Sequence, residues 1–342
     1  MDTSAPTRVA IVGAGGWGRQ HARAFGTRED AEIVGIFSRS LDKASERAET
    51  WGTRGFDDLD RMIEETAPDL VSVCLPNTAH FEPTMAVIER GVPLFVEKPL
   101  VFDLDEADAL LTAASERGLF FAINFNHRFA YPVERARRDI ASGALGALNA
   151  ATWRFGGEGD TQHHPHANLI ETQCHGIDML EHLLGPISAV SAEMTDAFAP
   201  GYSTLAVALR FANGAVGTLL GTYDSSYAYP GTHRLEINGS AGRLVIEDTV
   251  KRYELSEVGD ATRRVWEAGY FDDRSRSFQA TFDAHLDALL PALRAGQAPP
   301  VPATAGRRAL EVAWAIIESY EQGRRVEVCA PTVQAATSLT SG

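Results

Sequence analysis

Arg8-Val9-Ala10-Ile11-Val12-Gly13-Ala14-Gly15-Gly16-Trp17-Gly18 decides the fold. A continuous run of β-branched and small apolar residues reads as a strand buried on both faces. It ends in Gly13-x-Gly15-x-x-Gly18, and a helical pattern opens immediately behind it. Strand, glycine turn, helix is the context in which this motif signals a dinucleotide. Gly13 allows the tight turn, Gly15 lets the backbone approach a pyrophosphate, and Gly18 lets helix and strand pack closely. Gly16 and Trp17 complete the turn. The helix N-terminus behind them offers unpaired N–H groups and partial positive charge to phosphates.

Working outward, four more apolar runs follow at regular intervals: residues 31–37, 69–76, 93–97 and 119–125. Helical patterns over 18–25, 41–50, 59–66, 81–90 and 104–117 separate them. The last has Asp103 as an N-cap and Gly118 just past its end. This alternation predicts a doubly wound parallel sheet, an α/β domain over residues 1–123.

Past Asn124 the texture changes. A basic helix (133–141) precedes a strand at 148–155 and a loop rich in His, Gly and Pro. A helix over 169–184 stops at Gly185-Pro186. Strands are expected near 187–194, 204–211, 214–222, 233–238 and 243–247, with weaker signals at 250–255 and 262–267. Asn213-Gly214 and Asn238-Gly239 read as hairpin turns. Two long helices, 276–294 and 304–322, close the chain. Residues 124–330 thus predict an α+β domain with a large, mostly antiparallel open sheet covered by helices on one face. Residues 331–342 read as a frayed tail.

The net charge of −15 and pI near 5.1 argue against nucleic acid and an anionic membrane surface. No apolar run reaches the roughly 18 residues that cross a bilayer. Met1–Arg8 lacks the apolar stretch of a signal peptide. Cys74, Cys174 and Cys329 are scattered and form no CxxC pair, so a cytoplasmic setting is expected.

The cofactor's identity is read at the end of the second strand. An NAD site would place Asp or Glu there, about 20 residues past the turn. The chain has Ser38 followed by Arg39, a pair that suits a 2′-phosphate, so NADP is preferred over NAD. A solvated Arg39 at a helix start is the plainer alternative.

Two further segments sit at strand ends: Leu75-Pro76-Asn77-Thr78-Ala79-His80 and Glu97-Lys98-Pro99. With the glycine turn, Asn126-His127-Arg128-Phe129 and His175-Gly176-Ile177-Asp178, the chain resembles the Gfo/Idh/MocA family of sugar and cyclitol oxidoreductases. The resemblance implies that Leu75, Pro76, Asn77 and His80 line the cofactor and that Glu97 sits near the nicotinamide ribose. It also implies that Lys98 reaches the reacting oxygen and His175 carries the proton, and it points to a homodimer or homotetramer formed through the second sheet. Where the family often has Asp, four residues before the histidine, this chain has Glu171.

Those residue types suit hydride chemistry at a sugar or polyol hydroxyl. A histidine can move the hydroxyl proton near neutral pH, and an ammonium stabilises the developing alkoxide. On a regular helix Glu171 and His175 share a face at i, i+4, with Asp178 near it. Either carboxylate could orient the ring or bind a hydroxyl. Arg128, Trp153, His166 and Asp178 are expected to shape the substrate pocket. His163, His164, His166, His182, His175 and Glu171 raise a metal site, but lack the HExxH pattern, and none is expected. A catalytically inactive cofactor-binding sensor on the same fold is the competing function, and a metal-assisted hydrolase a third.

Overall fold

The computed structural model of the chain describes residues 5–159, 161, 163–197, 201–269 and 277–330. The expected frayed tail, 331–342, lies outside them. In the first half the apolar runs become β1 (Thr7–Val12), β2 (Ala31–Phe37), β4 (Leu70–Val73), β5 (Leu94–Val96) and β6 (Phe121–Ile123). A two-residue β3 (Gly55–Phe56), unsignalled in the sequence, adds an edge. The order β3-β2-β1-β4-β5-β6 is parallel throughout. Between the strands run α1 (Gly16–Gly26), α2 (Leu41–Glu49), α3 (Leu59–Thr66), α4 (Phe81–Glu89) and α5 (Leu104–Glu116). Asp103 caps α5 as read, accepting from the N–H groups of Asp105 and Glu106, and Gly118 takes φ +61° beyond its end.

The second half forms a nine-stranded sheet among the described residues. Its strands are β7 (Leu148–Gly156), β8 (Ile187–Thr195), β9 (Thr204–Phe211), β10 (Val216–Thr222), β11 (His233–Gly239), β12 (Gly242–Glu247), β13 (Arg252–Glu257), β14 (Arg263–Glu267) and β15 (Val326–Glu327). The order is β14-β13-β12-β11-β7-β10-β9-β8-β15. All neighbours are antiparallel except β7 and β10, so the sheet is mostly antiparallel as expected. Along β9, Leu205, Val207, Leu209 and Phe211 are buried and alternate with exposed residues, the signature of a one-sided sheet. The buried face packs on α6 (Tyr131–Ala141), α7 (Cys174–Leu184) and the long α9 (Thr304–Gln322).

Three expectations are corrected. Asn213-Gly214 makes its hairpin, with Gly214 at φ +91°, but Asn238-Gly239 ends β11 and the turn falls on Ser240-Ala241. The helix expected over 169–184 is two pieces, a wide π turn at Asn168–Thr172 and then α7. Buried Asn168 and Gln173 cause this: Asn168 donates to Ser203 O, and Gln173 donates to Asn168 Oδ1 and Phe155 O. Third, α8 (Phe278–Arg294) does not cover the second sheet. It returns to the first domain beside α1, where Phe282, Leu286, Leu289, Leu290 and Leu293 pack on Val9, Ile11, Phe25 and Phe95.

Arg23–Asp283 and Arg28–Asp287 ion pairs edge that contact, and Arg294 donates to Thr7 Oγ1. Leu289 is fully buried there. Leu289→Ala should lower stability by about 2–5 kcal/mol through lost transfer energy and the cavity left behind. Urea unfolding followed by circular dichroism measures it.

Candidate active site

A cleft of about 590 Å³ opens at the C-terminal ends of β1, β2 and β4. The strand order reverses between β1 and β4, which is where open α/β sheets hold their ligands. The floor is the glycine turn. Gly13 takes φ +126°, and a Cβ there would meet Cys74 O at 2.4 Å. A Cβ on Gly18 would lie 1.8 Å from Gly13 O, so this glycine lets α1 sit on the turn. Gly15 and Gly16 differ: a Cβ on either meets nothing within 4 Å, because their backbone faces the cleft. α2, α3 and α5 are capped by Ser40, Asp58 and Asp103 side chains, whereas α1 has neither a side-chain cap nor an acidic residue in its first turn. An open glycine cradle on an uncapped helix N-terminus fits a diphosphate.

Ser38, Arg39, Leu75, Pro76, Asn77 and Trp17 line the same cleft, as expected. Lys43 and Thr78, not singled out in the sequence, join them. Arg39 is exposed and has no hydrogen-bond or ion-pair partner among the described residues. With Lys43 it gives this end two cations.

At the other end stand Lys98, Trp17, His163 and Glu171. Lys98 Nζ donates to the backbone carbonyl of Glu171 at 3.1 Å and lies 5.7 Å from the centre of the Trp17 ring. The Trp17 ring is stacked on Phe282. Glu171, in the π turn, pairs with His163 Nε2 at 2.6 Å rather than with His175. His175, at the start of α7, lies flat against His127, with ring centres 3.9 Å apart and planes 9° from parallel. Burial first, then His127, Lys98 and His233, pushes His175 well below the ordinary histidine pKa. His127 is pushed down to about 3 by burial, His233 and Lys98.

Several other expected site residues make their contacts within the protein. Glu97 is sealed in the core, 2% exposed, where His21 Nε2 and Asn124 Nδ2 each donate to its Oε1 at 2.6 Å. Burial alone would raise its pKa, but the His21 hydrogen bond and charge, Lys98 and Asn124 hold it below the ordinary carboxylate value. His80 is equally buried and bridges Leu75 O and Pro99 O. It ties the two loops together from behind the cleft. Arg128 and Asp178 form a bidentate ion pair with each other, in which burial raises the Asp178 carboxyl despite Arg128. Trp153 donates its Nε1–H to Gln173, and His166 stacks on Tyr202. The histidines raised for a metal do not converge: no group of three or more His, Cys, Asp or Glu among the described residues could hold one.

Two further histidines stand against expected site residues, His127 against His175 and His163 against Glu171. His127 lay inside the quoted Asn126-His127-Arg128-Phe129, directly after β6, which was its signal. His163 was noted as a possible metal ligand, and its bond to Glu171 comes from a loop fold that periodicity does not report.

A two-domain dinucleotide-binding oxidoreductase is what this fold and cleft define. Two family models match: "Oxidoreductase family, NAD-binding Rossmann fold" over residues 7–125 and "Oxidoreductase family, C-terminal alpha/beta domain" over residues 143–328. The chain belongs to the Gfo/Idh/MocA family of oxidoreductases. It is 36% identical to D-glucoside 3-dehydrogenase of Escherichia coli over 154 residues, 44% of each chain. It is 24% identical to myo-inositol 2-dehydrogenase of Thermotoga maritima over 94% of this chain and 98% of that one. The fold matches that of levoglucosan dehydrogenase in complex with NADH and L-sorbose, with a TM-score of 0.85, 21% identity and coverage of 95% and 100%.

The glycines separate cofactor binding from folding. Gly15→Val should leave the melting temperature near wild type yet weaken NAD(P)H binding by roughly tenfold or more, because its side chain takes the phosphate's place. Gly18→Val should instead fail to fold. Fluorescence titration and thermal melts read the two.

Proposed function

We propose that this protein oxidises a secondary hydroxyl of a sugar or cyclic polyol with NADP, or NAD, as acceptor. The observation that carries this is the position of Lys98, whose Nζ meets the backbone carbonyl of Glu171 at 3.1 Å and the centre of the Trp17 ring at 5.7 Å, both residues lining the dinucleotide cleft. When bound, the nicotinamide supplies the hydride acceptor. Lys98 holds the reacting oxygen and stabilises its developing negative charge. The carbonyl partner of Nζ is neutral, so the ammonium keeps its charge for that oxygen. As the C–H electron pair departs, the O–H proton passes to the His175 ring. Glu171, oriented by His163, accepts a hydrogen bond from a neighbouring hydroxyl, which favours a vicinal diol. Relatives named for glucosides and inositols support that substrate class.

Arg39 and Lys43 support the preference for NADP, since they face the cleft end that would hold a 2′-phosphate. No described helix is long and apolar enough to cross a membrane, and the three cysteines are free thiols, in keeping with a reducing cytoplasm. The exposed face of the second sheet, with Val216 and Leu220 outward, suits pairing with a second copy.

Lys98→Ala should lower kcat by about 100-fold or more while changing the NAD(P)H Kd by less than about threefold. Steady-state turnover on a panel of sugars and inositols, with fluorescence titration, measures both. Cofactor binding with no turnover by the wild type on any of them would favour an inactive sensor. Arg39→Asp should shift the ratio of kcat/KM for NADP over NAD by about tenfold or more toward NAD. A wild type preferring NAD by that margin would remove the NADP assignment.

A further inference from the structure

A histidine that must hold a proton is ordinarily backed at one ring nitrogen by a carboxylate or carbonyl, which stabilises the imidazolium. His175 has no such backing. Its Nδ1 is buried and has no hydrogen-bond partner among the described residues. Both carboxylates spaced along the chain to serve it are engaged elsewhere, Glu171 with His163 and Asp178 with Arg128. What covers the ring instead is His127, whose own Nδ1 is buried and unpartnered.

Apolar rings add to this cover. Phe125 meets His175 edge-on, and Phe155 and Phe278 flank His127. The titratable groups that act on His175 come from three elements: Lys98 from the turn after β5, His127 from the turn after β6, and His233 from β11. Each is a cation or a neutral ring. On α7 itself Cys174 is a buried thiol held up at about 12, and Asp178 belongs to Arg128.

We infer that His127 is a positioning residue that holds His175 as a neutral imidazole across the physiological range, which keeps the site supplied with base for hydroxyl oxidation and short of acid for ketone reduction. Oxidation needs a free lone pair on His175 when the hydroxyl proton leaves. Reduction needs the same ring already protonated, so that its proton can pass to the oxygen as hydride reaches the carbon. The stack governs which protonation state is available and leaves the overall equilibrium untouched. The inference rests on the role proposed above for His175.

Two readouts test it on the full-length protein. The first is an NMR titration of 13C-labelled histidines without cofactor, the His175 signal being assigned by its loss in His175→Gln. The second is the pH dependence of kcat/KM for oxidation. In the wild type, His175 should not titrate between about pH 8 and about pH 5.5, and oxidation should show no acidic limb there. In His127→Ser, where water reaches the ring, the titration and the limb should both move up by about one pH unit or more. In His127→Phe, which keeps the flat contact and the burial, both should stay near wild type. A wild-type His175 that titrates near the ordinary 6.5 overturns the inference, as does a folded His127→Ser protein with an unmoved titration. If the titrations behave as stated but oxidation never follows them, His175 is not the base, and the directional bias falls with that assignment.

Discussion

The buried carboxylate of Glu97 is the constraint on which both ends of the site depend. A charge removed from water costs several kcal/mol unless it is paired and its lone pairs are satisfied. Here three direct partners surround it, two of them held in turn by further residues. His21 is on α1, Asn124 follows β6, and the backbone N–H of Lys98 reaches Oε2. His21 Nδ1 shares a hydrogen bond with Ser72 of β4, and His285 of α8 donates to Asn124 Oδ1. Because α1 also carries the glycine turn, fixing His21 to Glu97 fixes the cofactor cradle relative to the lysine beside it. The glycine turn and Lys98 therefore share one anchor in the core.

The fold was legible where burial is continuous and local. The runs 9–13, 31–37 and 93–97 are apolar because a parallel strand is covered on both faces, and each became a strand. β3 and β15, two residues each, are too short to leave a period. The 168–184 segment shows a different limit. Its apolar spacing is helical, yet the side-chain bonds of Asn168 and Gln173 to distant backbone carbonyls accompany a π turn that periodicity does not encode. α8 shows a third: an amphipathic pattern says that a face is buried, but not which sheet buries it.

The site was legible as a set of segments and less so as a set of contacts. Ser38, Arg39, Leu75, Pro76 and Asn77 do line the cleft. His80, Glu97, Arg128, Trp153 and Asp178 lie in or beside motifs too, yet their polar atoms are spent on neighbouring loops, on each other, or on Gln173. A motif can hold a buried brace as readily as a residue that lines the cleft. His127 is the reverse case. It has no ionic partner to betray it, and its relation to His175 exists only once β6 and α7 are brought together.

Electrostatics explains how a chain of net charge −15 offers anion-binding points at all. At physiological salt, exposed charges more than about 8 Å apart are largely screened, so the local set decides. At the diphosphate end that set is the uncapped N-terminus of α1 with Arg39 and Lys43. Beside Trp17 and Glu171 it is Lys98, and here the neighbouring carboxylate could have bonded it directly. It does not, because Glu97 turns inward to His21 and Asn124, and Oε2 meets the backbone N–H of Lys98 rather than its ammonium. Nζ is left against a neutral carbonyl, and burial favours the neutral form of the stacked histidines. The same burial that makes Glu97 an anchor keeps its carboxylate out of hydrogen-bond contact with the ammonium of Lys98, which is the arrangement the proposed role of Lys98 requires.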